Sequence, residues 1–148
     1  MYWIRKQKRK RASSVTKHYQ THKESARALI HDRINHWNQF YGFGFNRVAI
    51  RNQRRCWGSC TSLKNLNFSY KILFLPAHLQ DYIIVHELCH LAELNHGKDF
   101  WALVAQQVPE YKTHMKELKT LEQGGMSYAR LEKLKETYDS DVVLSNTI

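Results

Sequence analysis

The segment His86-Glu87-Leu88-Cys89-His90 constrains this chain more than any other. It sits among Tyr82, Ile83, Val85, Leu88, Cys89 and Leu91, an apolar surface broad enough to bury a helix on most sides. Pro76 marks a boundary before it, so the spacing predicts a helix from Leu79 or Gln80 to about Leu94. A buried helix that carries two imidazoles and a carboxylate is costly unless those groups find partners. On a helix, positions 86 and 90 emerge from one side, roughly 6 Å apart along the axis, so both rings can converge on one ion.

Zinc fits that pair, because it takes neutral imidazole nitrogens in a tetrahedral shell and can keep one position for water. Glu87 projects about a hundred degrees round the helix from His86 and need not be a ligand. Its carboxylate is instead placed to accept a proton from the water and pass it to a leaving group. For the third ligand, His96 lies beyond the expected helix end, where Gly97 eases a turn back toward the ion. Glu93 competes because it shares the helical face, but it sits roughly 7.5 Å beyond the midpoint of the histidine pair. We therefore place Glu93 in the outer shell or pocket wall and His78, before the helix, in a surface or structural role. The expected cofactor is one catalytic zinc ion.

The rest of the chain reads as α+β. Ala26, Leu29, Ile30, Ile34 and Trp37 recur at helical intervals between about Thr16 and Tyr41, and Gly42 and Gly44 end that helix. Phe45–Asn52, Cys56–Thr61 and Asn67–Leu75 read as strands of a small, mainly antiparallel sheet, with a turn at residues 64–67. In the third strand Phe68, Tyr70, Ile72 and Phe74 alternate onto one face. Phe100, Trp101, Leu103, Val104 and Val108 start a helix after Gly97, and helical periodicity returns at 111–121 and 126–138, on either side of Gly124-Gly125. Phe100 and Trp101 are expected to pack the central helix. Cys89 reads as a small buried thiol, and Cys56 and Cys60 lack the spacing of a structural zinc site.

A length of 148 residues encloses one core more readily than two. The expected organisation is a flexible basic arm over 1–15, one domain over 16–138 and a peripheral tail over 139–148. The net charge of +10 is concentrated in that arm, where Arg5, Lys6, Lys8, Arg9, Lys10 and Arg11 supply six cations. Such an arm is either solvated or an electrostatic contact for nucleic acid. No secretory signal and no membrane-length apolar run is visible, and three cysteines make no disulfide framework, so a cytoplasmic location without membrane contact is expected.

Several blocks together resemble the YgjP-like metallopeptidase domain, a relative of SprT-like and other minimal zincin folds. They are Trp57-Gly58-Ser59-Cys60, the run Asp81 to Leu91 around the histidine pair, and Asn95-His96 followed by Phe100-Trp101; the likeness spans roughly Tyr19 to Tyr111. It implies a minimal zincin-like fold with an N-terminal helix, a small sheet, the His-Glu-x-x-His helix and C-terminal helices. It also implies zinc on His86, His90 and His96, with Glu87 as general base. One departure is Cys56, which stands where relatives often carry arginine, so either Arg54 or Arg55 compensates or substrate recognition differs.

The reading is a zinc-dependent peptidase acting on a peptide or an unfolded protein segment. An extended substrate would run beside Trp57, Gly58 and Ser59, provided that their strand is a sheet edge. Trp57 lines the pocket or packs in the core, and Tyr70 or Tyr111 could steady the tetrahedral intermediate. Two alternatives stand beside it. Arg51, Arg54 and Arg55 could meet the phosphates of a nucleotide in a metal-dependent phosphoanhydride hydrolase. A basic nucleic-acid-binding module with a structural metal is the other.

Overall fold

A computed structural model describes residues 14–125 and 127–145, so the basic cluster at 5–11 lies outside the described residues. Helix α1 (Ser14–Tyr41) buries Ala26, Ile30 and Ile34, which recur every fourth residue along one stripe. Gly42 ends it in the left-handed region at φ 68°, where a side chain would be strained, and donates its N–H to Asn38 O at 2.6 Å. The Asn38 side chain then pairs with both backbone polar groups of Phe43 at 2.8 and 2.9 Å, fixing the exit from the helix.

Three strands follow, β1 (Arg47–Arg51), β2 (Gly58–Cys60) and β3 (Asn65–Ser69), in spatial order β1-β3-β2. β2 and β3 form the expected antiparallel pair, but β1 runs parallel to β3, so the sheet is mixed. The segment between β1 and β2 spans a strand's width and leaves a gap into which β3 inserts, which forces the parallel pairing. The hairpin turn lies at Thr61–Lys64, ahead of the expected 64–67. Thr61 exchanges bonds with Lys64 and Asn65, and Lys64 adopts φ 61°.

The expected long third strand stops at Ser69 and continues as a 3-10 helix over Tyr70–Phe74. Ser69 caps that turn by accepting the Lys71 N–H at 3.3 Å. Phe68, Tyr70, Ile72 and Phe74 are all buried, as their pattern demands. A strand buries one face, whereas this turn is enclosed by α1 on one side and by a C-terminal helix on the other.

Helix α2 (Ala77–Cys89) fills the centre, packed against α1, β2, α3 (Lys98–Gln107) and α4 (Tyr111–Gln123). Leu79, Ile84, Val85, Leu88 and Cys89 are fully enclosed, so the helix is apolar almost all round. Arg33 of α1 clamps Asp81 through two nitrogens at 2.6 and 3.1 Å and ties α1 to α2. Helix α5 (Tyr128–Ser145) continues past the expected stop at Tyr138 and seals one flank with Leu131. Among the described residues no helix is long and apolar enough to cross a membrane.

Candidate metal centre

Helix α2 ends earlier than its apolar pattern suggests, and that early end assembles the site. After Cys89 the chain tightens, Leu91 N–H bonding Leu88 O at 3.0 Å and Ala92 N–H bonding Cys89 O at 3.1 Å. The turn returns His96 to His86 and His90. The three Nε2 atoms form a triangle with sides of 3.2, 3.0 and 3.2 Å. Glu93 contributes through its backbone, because its carbonyl lies 2.9 Å from His90 Nδ1. A carbonyl can only accept, so Nδ1 carries the proton and neutral His90 turns a lone pair toward the other two rings.

Nothing in the triangle can balance a proton. Burial first, then His90 and His96, pushes His86 down to about 3, and burial also holds His90 below the ordinary imidazole range. Three imidazole nitrogens therefore converge on one point, the kind of donor set that a tetrahedral zinc accepts. Ligand atoms about 2.0–2.1 Å from such an ion lie roughly 3.3 Å apart, close to the sides observed. Aromatic rings hold the imidazoles in place. Phe100 stacks on His90 at 4.3 Å, Trp101 stacks on His96 at 5.9 Å, and Tyr111 stacks on Trp101 at 4.8 Å.

Glu87 lies beside the triangle, 5 % exposed, and its Oε2 is buried with no hydrogen-bond partner. Burial raises its carboxyl to about 8. A buried carboxylate oxygen without a partner beside three converging imidazole nitrogens is an uncompensated polar cluster. Gly58 makes the approach feasible. A Cβ there would stand 2.9 Å from Glu87 Cγ and 3.1 Å from Asn67 O, so the strand passes over Glu87 only because residue 58 has no side chain.

β2 is an edge strand, paired on its inner side with β3. Two cavities of about 250 Å³ each lie between it and α2, one bounded by Trp57, Gly58, Tyr82, Glu87 and Leu118, the other by Ser59, Cys60 and the three histidines. Trp57 is half-buried at the mouth, its indole N–H donating to Glu122 Oε1 at 2.7 Å. Other candidates fall elsewhere. Tyr70 lies near His18, 2.9 Å from its Nδ1, and His78 pairs with Glu117 at 2.8 Å. Burial, followed for Cys60 by Glu87, raises the Cys60 and Cys89 thiols to about 11, which keeps them protonated. Tyr82 was missed in the sequence. It lies one turn before His86, with ring centroids 5.9 Å apart, and burial, then Glu87 and Tyr111, raises its phenol to about 12. Its position four residues before the first histidine was the available signal.

A family model described as the YgjP-like metallopeptidase domain matches residues 2–121. Among solved structures, the metallopeptidase zymogen of Pyrococcus abyssi abylysin is similar, with 23 % identity, a TM-score of 0.58, and coverage of 66 % of this chain and 99 % of that one. The metallopeptidase zymogen of Methanocaldococcus jannaschii jannalysin is similar at 22 % identity and a TM-score of 0.53, covering 64 % of this chain and 95 % of that one. Both likenesses show the fold. No curated protein sequence matches.

Proposed function

The chain belongs to the YgjP-like metallopeptidase domain family, and from that premise we propose that it cleaves peptide bonds with one zinc ion held by His86, His90 and His96 and with Glu87 as general base. The observation that carries this reading is the triangle of Nε2 atoms, 3.0–3.2 Å on each side, beside the orphaned Glu87 Oε2. Zinc, when bound, supplies a Lewis acid that polarises the substrate carbonyl and makes a water more acidic.

This chain's own residues do the remaining work. Glu87 takes the proton of the attacking water, for which its raised basicity is suited, and delivers it to the departing amine nitrogen. The outer edge of β2 offers the backbone groups of Gly58 and Cys60 to an extended substrate, those of Trp57 and Ser59 facing β3, and the substrate joins the sheet as a further strand with Trp57 at one end. Tyr82, which lines the cleft, is a candidate hydroxyl donor to the carbonyl oxygen on which negative charge develops. Phe100 and Trp101 position the histidines.

Family and fold support peptide substrates and lend no weight to a nucleotide or a nucleic acid. The deciding experiment incubates zinc-loaded and chelated protein with an unfolded protein and with a nucleotide panel, reading products by mass spectrometry. Zinc-dependent new peptide termini are expected. Zinc-dependent release of pyrophosphate without peptide cleavage would overturn the reading.

A further inference from the structure

The cleft does not end at Trp57. A third cavity of about 250 Å³ adjoins the one above Glu87 and shares Arg55, Cys56, Trp57 and Glu122 with it. Along the chain the order is continuous: residues 58–60 face the histidines, 55–58 face Tyr82 and Glu87, and 53–57 line the third cavity. The far cavity has a different chemistry. Arg54, Arg55 and Lys71 bring three cations to it, against the single carboxylate of Glu122, which already accepts the Trp57 indole N–H at 2.7 Å. None of the three cations forms an ion pair among the described residues.

Resting on the peptidase reading above, we propose that this cavity is a specificity subsite that binds a carboxylate of the substrate, from an aspartate or glutamate side chain or from the peptide's own C-terminus. Solvated surface cations would need no partner, but Lys71 is half-buried, rooted in the 3-10 turn directly after fully buried Ser69. Burial, then the charge of Arg54, holds its ammonium below the usual lysine range, the mark of a cation that gains from an anion. Two arginines add forked donors that match a carboxylate's two oxygens. Gly58 and Arg55 are three residues apart, at most about 10 Å of extended chain, so the bound carboxylate lies two to four residues from the cleaved bond.

The test uses the zinc-loaded full chain and a neutral host peptide in which one glutamate is moved through four positions on each side of the cleaved bond, in C-terminally free and amidated forms. A rise of about tenfold or more in kcat/KM at one position two to four residues away, or on freeing the C-terminus at that distance, is expected, and the two arms tell the side chain from the terminus. Arg54→Glu with Lys71→Glu should turn the preference toward lysine at the same position, read as the ratio of kcat/KM for the glutamate and lysine peptides on the one variant. Equal rates at every position in the parent would overturn the subsite and leave the peptidase reading standing. A failure to cleave any peptide would overturn both.

Discussion

Two histidine pairs share a four-residue spacing, His86 on α2 with His90 at its C-cap, and His18 with His22 on α1, and their surroundings differ. His18 Nδ1 faces the Tyr70 hydroxyl at 2.9 Å and its Nε2 faces Glu132 Oε1 at 3.0 Å, with His22 Nε2 at 3.7 Å from the same oxygen. That group contains its own acid, so a proton shared with Glu132 satisfies it within the protein. The α2 pair meets a third imidazole and no acid in the triangle, while the neighbouring Glu87 keeps an oxygen without a partner. Helical spacing puts two rings on one face. The balance of donors and acceptors around them differs: one cluster carries its own carboxylate, the other brings imidazole nitrogens alone together.

The comparison breaks most visibly in turnover. Glu87→Gln keeps the shape of the side chain and removes the base, so turnover should fall by about a hundred- to ten-thousandfold with zinc content near the parent's. Undiminished hydrolysis of a verified substrate would remove Glu87 from that role. Next, His96→Ala should weaken zinc binding by at least about a hundredfold, whereas His18→Ala should leave it unchanged. Titration against a competing chelator reads both, and a loss of zinc in the His18 variant would erase the distinction between the pairs. Smaller again is Gly58→Ala. The added methyl meets Glu87 Cγ at 2.9 Å and must displace it. Turnover should then drop by about tenfold with zinc affinity intact; equal turnover would mean that the strand yields instead.

Much of this site was legible because the stretch from Tyr82 to Leu91 is so apolar that His86, Glu87 and His90 stand out against it. His96 was readable as a candidate from the turn that Gly97 suggests, but its arrival depends on α2 ending at Cys89, a matter of turn geometry that periodicity does not register. Tyr82 was hidden for the opposite reason. Its side chain reads as one more apolar residue of a helix buried almost all round, and that it lines a cavity with Leu118 and Glu122 of α4 depends on how α4 packs, which no local pattern records. The alternation of Phe68, Tyr70, Ile72 and Phe74 correctly marked buried residues but not their backbone, since a 3-10 turn enclosed on two sides hides the same side chains as a strand. The parallel β1–β3 pair could not be read at all, because strand order is set by the path of the 52–57 connection and by no pattern within the strands.

The smallest effects lie in the α1 pair and show up as stability. His18→Ala should cost about 1–3 kcal/mol in denaturant unfolding, because fully buried Tyr70 loses the partner of its hydroxyl and Phe74 loses a stacked ring at 5.3 Å. His22 acts more weakly and through protons. Burial, then the charge of His18, holds its imidazole below the ordinary 6.5 in spite of Glu132, so the folded chain binds fewer protons there than the unfolded chain. The stability this contributes is complete above about pH 6.5 and fades as the pH falls below it. Thermal unfolding of the zinc-loaded parent and of His22→Gln between pH 5.5 and 7.5 isolates that contribution, because loss of zinc in acid affects both proteins alike. The parent should fall slightly more steeply toward the acid end. Parallel curves would mean that Glu132 offsets the burial of His22 completely.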